Sequence, residues 1–374
     1  MSMTKDELYE QHLQEVLSIA KMEDYSEEDV ERVLDRLLQC LPNNGKLYKY
    51  RSIEGQSFDN AYDSLEKGYL WVAQAKTLND DLDCALIFDP MKEIEQMRQD
   101  FLKRPWFYLD NWIRANFDQL YWPTPDSFKM YAKAIECVDK DTGVLDAKKA
   151  VRVLVQMGMK EEQAKKYMNA LLELTEREIQ KHSEQLKRAT SPIFKFNDTN
   201  REDVYIFSMS ETYDCDQMWA YYANSNNGFC IEYDFNKVKQ LPLDIKKKFM
   251  FLYKVVYKEA LDEFSFKTLN EFMFSGQQDK ELLNQAAIEI KERLIVKTSN
   301  WEHEREWRLC LYNLESNNKV FANLVSEIII DGRVLGTDNG KKLIALAKAR
   351  NWGIKVRKKN RLGTGHIYEE WEAQ

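Results

Sequence analysis

The sequence predicts an α+β protein with a discontinuous β-rich core, a mixed or antiparallel sheet carrying a large helical insertion and an N-terminal helical hairpin. Three observations predict it. Apolar residues recur at helical spacing over residues 5–41, strand-like runs begin at Leu47 and return only after Pro192, and the pattern between Met91 and about Thr190 is helical almost throughout. The expected division is a hairpin over 1–45, a core built from 46–90 and 195–374, and an insertion over 91–194.

The hairpin rests on Leu13, Val16, Leu17 and Ala20, then Val30, Val33, Leu34, Leu37 and Leu38. The Asp24-Tyr25-Ser26-Glu27-Glu28 run between them reads as a helix N-cap with acids in the first turn, and Pro42-Asn43-Asn44-Gly45 closes the unit. A strand follows at 47–51, a short helix at 59–67, a second strand at 69–73, and a polar loop at 78–83. Breaks at Pro123-Thr124-Pro125 and at 139–143 divide the insertion into three or four helices, and its aromatic run from Trp106 to Trp122 fits either a local core or a partner-binding face. Strands are expected again at 204–210, 228–234, 251–258, 307–313, 326–331 and 353–358, with helices at 217–223, 279–297 and 340–351.

At 374 residues and 44% hydrophobic, the chain buries one large core or two moderate ones. No apolar run reaches membrane-spanning length, and MSMTKDELYEQ has acids where a signal peptide needs a basic, then apolar, start; a cytoplasmic location and no membrane partner are the expectation. Six scattered cysteines without a CxxC pair, and four histidines far apart, point to reduced, mostly buried thiols and no metal. The net charge of −8 opposes nonspecific nucleic-acid binding by the whole surface. One stretch departs from it: 341–361 holds nine Lys or Arg and no acid, which reads as a solvated helix face with an edge strand, or as a phosphate-facing patch.

Candidate chemistry gathers on three strands. Arg51 ends an early strand beside Tyr48 and Tyr50, Ser208 and Ser210 share the face of a middle strand, and Glu304 and Glu306 enter a late one, where two-residue spacing in an extended chain aims both carboxylates into one cleft. Such a set suits a cationic transition state, because an oxocarbenium ion forms when the ribose–nicotinamide bond of NAD breaks and a nearby carboxylate stabilises it while arginine holds the pyrophosphate. Tyr222 is a candidate ring to stack on nicotinamide; Trp219 fits core better. Plainer readings stand beside these: a helix-end ion network for Glu304, Arg305, Glu306 and Arg308, a surface arginine at 51, and edge-strand or capping serines. A hydrolytic nuclease holding magnesium through Asp80, Asp83 and Glu211 is a weaker third class, and neither a GxSxG elbow nor a P-loop or Rossmann glycine signature is present.

The motif order Leu47-Tyr48-Lys49-Tyr50-Arg51, Leu78-Asn79-Asp80-Asp81-Leu82-Asp83, Phe207-Ser208-Met209-Ser210-Glu211, Met218-Trp219-Ala220-Tyr221-Tyr222, Gly228-Phe229-Cys230-Ile231-Glu232 and Trp301 through Arg308 resembles a bacterial family named only as domain of unknown function 2971. Asp81, Leu78 and Leu82 depart from that family's proline and aromatics. The order Arg, Ser-x-Ser, Glu-x-Glu also resembles mono-ADP-ribosyltransferases. That resemblance implies a split sheet binding NAD as substrate, with Glu306 as the catalytic acid beside Glu304, Arg51 as the first-strand arginine, and Ser208 and Ser210 as the middle-strand serines. It further implies a protein or nucleic-acid acceptor and, by analogy, a bacterial toxin or anti-phage setting. The competing expectation is a nucleic-acid-responsive binding protein using the 341–361 segment without catalysis.

Overall fold

The computed structural model describes residues 4–20, 26–80, 82–89, 91–93, 95, 96, 99, 127–139, 145–186, 201–265, 267, 268, 285, 288–290, 292–312, 314 and 318–371. Its helices in chain order are α1 (Lys5–Ala20), α2 (Glu27–Cys40), α3 (Gly55–Lys67), α4 (Ser127–Ile135), α5 (Ala147–Gln156), α6 (Glu161–Leu186), α7 (Asp216–Tyr222), α8 (Leu243–Phe249) and α9 (Asp338–Ala349). The strands are β1 (Lys46–Ser52), β2 (Tyr69–Trp71), β3 (Ala73–Gln74), β4 (Val204–Ser210), β5 (Gly228–Asp234), β6 (Leu252–Lys254), β7 (Val256–Lys258), β8 (Val296–Thr298), β9 (Glu306–Tyr312), β10 (Lys319–Phe321), β11 (Val325–Asp331), β12 (Gly353–Lys359) and β13 (His366–Glu370).

The chain divides into two compact units, Met1–Ala85 with Thr199–Leu261 and Glu292–Gln374, and Leu86–Asp198 with Asp262–Lys291. In the second unit α4, α5 and α6 pack around Tyr131, Ala134, Ala150, Leu154, Ala164, Met168 and Leu171, and Asp146 caps α5 by accepting from Lys149 N. This unit also takes residues 262–291, which the strand and helix pattern had assigned to the core. The aromatic run from Trp106 to Trp122 lies outside the described residues.

The first unit is a mixed sheet ordered β13-β12-β11-β5-β1-β4-β9-β6, with β3 also on β4. All its pairs are antiparallel except β11 with β12, which run parallel because α9 carries the chain between them. One face is covered by the N-terminal pair. Val30, Val33, Leu34 and Leu37 of α2 are buried at helical spacing in the same core as the sheet's Ile231, Phe229, Leu309 and Trp307, where Tyr9 of α1 meets Trp307 and Phe58 of α3 meets Phe229, each fully buried aliphatic contributing roughly 2 kcal/mol. Ser26 starts α2 through a capping box with Asp29. The opposite face holds α7, whose Met218 and Trp219 pack on Tyr48, Tyr50, Cys230 and Ile329.

One irregularity positions the site. β1 pairs with β5 along its whole length and β4 does the same with β9, yet β1 and β4 meet at the single pair Tyr48↔Ser210. The sheet forks there, and farther along β4 the short β3 takes the vacant edge, Ala73 opposite Ile206 and Gln74 opposite Tyr205. The Lys49 ammonium reaches across the fork to donate to the Ser208 carbonyl, supplying that carbonyl with a donor where no strand ladder does. Gly228 lies opposite Ser52 at the far side of β1, where a Cβ would fall 2.3 Å from the Arg51 carbonyl and 2.9 Å from Ala223 Cα, so only glycine lets β5 pair with β1 to its end.

Most expected strands fall where the alternation placed them. The expected strand at 251–258 is instead two, β6 and β7, and the expected helix over 279–297 gives way to β8 at Val296. The basic 341–361 stretch is α9 followed by an interior strand, not an edge one, since β13 covers β12.

Candidate functional site

A cleft of about 210 Å³ opens at the fork, and its walls bring Arg51, Ser208, Ser210, Tyr222, Glu304 and Glu306 together with Tyr48 and Tyr50. Its volume is below the roughly 300–1,000 Å³ of pockets that enclose a whole drug-sized ligand, so a ligand of that size would be enclosed only in part. One wall is cationic and the other acidic.

The acidic wall begins with a kink. Glu304 closes a short 3-10 turn (Ser299–Glu304), Arg305 adopts the left-handed conformation at φ 44°, and Glu306 opens β9. The sequence expectation of one extended run through both glutamates is therefore corrected: Glu304 is not on the strand, and the left-handed residue is what turns it toward the same cleft. Both carboxylates reach the Lys297 ammonium on β8, Glu304 Oε2 at 2.6 Å and Glu306 Oε2 at 3.3 Å, with Asp83 Oδ2 at 3.6 Å. Arg308, fully buried two residues along β9, donates through Nε and Nη2 to Glu306 at 2.7 and 2.9 Å and through both terminal nitrogens to Asp83 at 2.7 Å. Its Nη1 also donates to the Leu294 carbonyl at 2.8 Å. Three carboxylates thus share two cations inside the protein.

The electrostatic consequences differ for the two glutamates. Burial pushes Glu306 up, but the Arg308 guanidinium and the Lys297 ammonium outweigh it and hold its carboxyl down to about 2. For Glu304 burial wins over Lys297, and the repulsion of Glu306 adds to it, so its carboxyl lies above the usual range. Glu304 Oε1 accepts from the Tyr222 hydroxyl at 2.5 Å, and Asn79 Nδ2 donates to that hydroxyl at 3.5 Å.

The cationic wall is Lys49 and Arg51, which have no carboxylate partner among the described residues. Burial, and then the Arg51 charge, push the Lys49 ammonium well below its ordinary value, and burial lowers Arg51 as well. Unpaired cations facing a cleft are poised for an anionic ligand, because the ligand's charge recovers what desolvation cost them. At the mouth, Trp71 lines the cleft while 46% exposed, an unusual position for an indole.

Other predicted residues serve mainly as scaffold. Tyr48 and Tyr50 are buried and donate to Glu232 Oε2 at 3.1 Å and the Thr212 carbonyl at 2.8 Å. Ser210 is buried and donates to the Glu304 carbonyl at 2.7 Å, which fixes the kink, whereas Ser208 is half-buried on the cleft wall. Trp219 is core. Asp80 caps Leu82 N, Asp83 pairs with Arg308, and Glu211 accepts from Trp307 Nε1 at 2.9 Å; no group of three or more His, Cys, Asp or Glu disposed to hold a metal occurs among the described residues. All six cysteines are free, five of them buried. Of the 341–361 cations, Lys355 pairs with Glu327, Arg357 is buried on Asp331 and Asp216, and Lys358 pairs with Glu369. No helix among the described residues is long and apolar enough to cross a membrane.

Sequence reasoning missed Lys49, Trp71 and Lys297 as site residues, named Arg308 only as part of a helix-end ion network, and read Asp83 as a loop acid or magnesium ligand and not as the partner of Arg308. Burying an arginine in the middle of a strand costs several kcal/mol unless acids meet it, so Arg308, two residues after Glu306, was the available signal.

Comparison with known proteins adds little beyond the residues. No curated protein and no solved structure matches the chain. A family model described as a protein of unknown function (DUF2971) matches residues 218–309, so the chain resembles that family over the stretch carrying Tyr222, Lys297, Glu304, Glu306 and Arg308, while Arg51 and Ser208 lie outside it.

Proposed function

We propose that the cleft binds NAD and breaks the bond between its ribose and nicotinamide, as an ADP-ribosyltransferase-like enzyme. The observation that carries this reading is the convergence, at one fork of one sheet, of an unpaired Arg51, a cleft-facing Ser208 and the Glu304–Glu306 pair. In it, Arg51 and Lys49 hold the pyrophosphate, Ser208 offers a neutral hydrogen bond to the ribose or carboxamide, and the acidic wall stabilises the positive charge that develops at the ribose. The acceptor is water or a nucleophile of a protein or nucleic acid. A bacterial toxin or anti-phage effector acting in the cytoplasm is the setting such chemistry suits.

Binding of nucleic acid through 341–361 is the lesser reading, since Lys355, Arg357 and Lys358 are already occupied by carboxylates. The test is nicotinamide release from NAD by the purified protein, with and without cell lysate as a source of acceptors. Release that depends on the acidic wall supports the reading, and no release in either condition rejects it.

A further inference from the structure

The acidic wall treats its two glutamates unequally, and this bears on which of them meets the substrate. Both Glu306 oxygens accept from the Arg308 guanidinium, whose remaining donors go to both oxygens of Asp83 and to the Leu294 carbonyl, so the Glu306 charge is compensated at close range in a fixed, planar geometry. A cation growing in the cleft gains little from an anion already neutralised this way. Glu304 is placed differently: its only ion-pair contact among the described residues is Lys297, which it shares with Glu306 and Asp83, and its other oxygen rests on the neutral Tyr222 hydroxyl. Within ion-pair distance three carboxylates meet two cations, and the charge left without a contact partner falls mainly on Glu304, since the Lys49 ammonium acts on both glutamates only from across the cleft. An anion under-compensated in the resting protein gains most when positive charge appears beside it, and such differential stabilisation is what accelerates a reaction. A ligand hydroxyl can replace Tyr222 on Glu304 without stranding a charge, whereas displacing Arg308 from Glu306 would strand two.

We propose that Glu304 is the carboxylate that faces the reacting ribose and that Glu306 is a positioning residue, clamped by Arg308 so that Lys297 and Glu304 keep their places. This rests on the NAD-cleaving reading of the cleft. In the step, the bond from ribose C1′ to the nicotinamide nitrogen breaks and its electron pair leaves with nicotinamide, which departs neutral. C1′ becomes an oxocarbenium centre opposite Glu304. Water, or the O–H or N–H of an acceptor, then forms the new bond at C1′ and its proton passes to solvent.

The experiment compares the full-length protein with Glu304→Gln and Glu306→Gln, measuring kcat and KM for nicotinamide release, NAD binding by calorimetry, and the melting midpoint. Glu304→Gln is expected to lower kcat about 100-fold or more while NAD affinity and the melting midpoint stay close to those of the parent. Glu306→Gln is expected to lower the melting midpoint and raise KM, with kcat of the folded protein within about tenfold of the parent. If Glu306→Gln does not fold, Glu304→Gln decides by itself: a folded, NAD-binding Glu304→Gln with kcat within about tenfold of the parent overturns the assignment. A folded, NAD-binding Glu306 variant that is inactive while Glu304→Gln turns over, or equal losses in both, overturns the assignment and leaves the NAD reading standing. Absence of nicotinamide release by the parent, with water or lysate, overturns both.

Discussion

Two arginines are fully buried on the same face of the sheet, Arg308 on β9 and Arg357 on β12, and they do different work. Arg357 donates to Asp331 at 2.9 Å and to Asp216 at 2.6 Å, with the Trp219 ring 4.7 Å from its guanidinium carbon. Asp216 is largely exposed, so water shares the load. Arg308 has both of its acids buried, a lysine competing for the same acids, and a cleft at its edge. A buried arginine is thus not in itself a mark of function. What distinguishes the Arg308 cluster is surplus negative charge held beside an opening, an arrangement that costs stability unless a cationic partner uses it.

The largest expected effect separates the two arginines directly. Arg308→Met leaves Asp83 and Glu306 buried without their main partner and is expected to cost about 3–5 kcal/mol, whereas Arg357→Met leaves Asp331 still paired with Arg333 and is expected to cost roughly half as much or less and to retain nicotinamide release. Chemical denaturation of the two variants measures this, and equal losses would erase the distinction.

His12 supplies a third case, a buried base with no acid. It lies on α1 with neither ring nitrogen hydrogen-bonded among the described residues, and burial depresses its pKa to about 4. Between about 6.5 and 4 the unfolded chain binds a proton that the folded protein refuses, so stability falls as pH drops through this window, by on the order of 3 kcal/mol. His12→Leu should flatten the melting profile across it. An unchanged slope would show that protonation of His12 is not what destabilises the protein in that window.

On the cationic wall, Arg51→Gln is expected to raise KM for NAD about 10–100-fold with little change in melting midpoint, because its charge has no internal partner to strand. A large stability loss instead would make Arg51 a scaffold cation like Arg357. The smallest expected effect is at the mouth: Trp71→Ala should weaken NAD binding about fivefold through lost stacking, of order 1 kcal/mol, and quenching of tryptophan fluorescence by NAD in the parent should shrink in the variant.

How much of this was legible depends on how local the signal was. The alternation of β4, Val204–Ser210, and of β5, Gly228–Asp234, returned both strands to the residue, because each has one face on the core and the other against α7 or the cleft. Arg51, Ser208, Glu304 and Glu306 were nominated from residue type and spacing. Lys297 was placed in a helix, since a three-residue strand such as β8 is too short to show a period. Asp83 looked like an ordinary loop acid because its partner, Arg308, is 225 residues away in the chain. The interior position of β12 was equally invisible, as the strand that covers it, β13, carries little apolar pattern of its own.

The sequence by itself determined the α+β class, the helix pair with its capping box, the principal strands of the sheet and the residue types available for chemistry, because each follows from local periodicity and capping. Only the tertiary structure decided that β1 and β4 part after a single pair, that a left-handed Arg305 turns Glu304 beside Glu306, and that Asp83, Lys297 and Arg308 complete the acidic wall. Those features depend on side chains far apart in the chain sharing one buried, low-dielectric volume, where charge must be balanced across space and no local pattern can specify the balance.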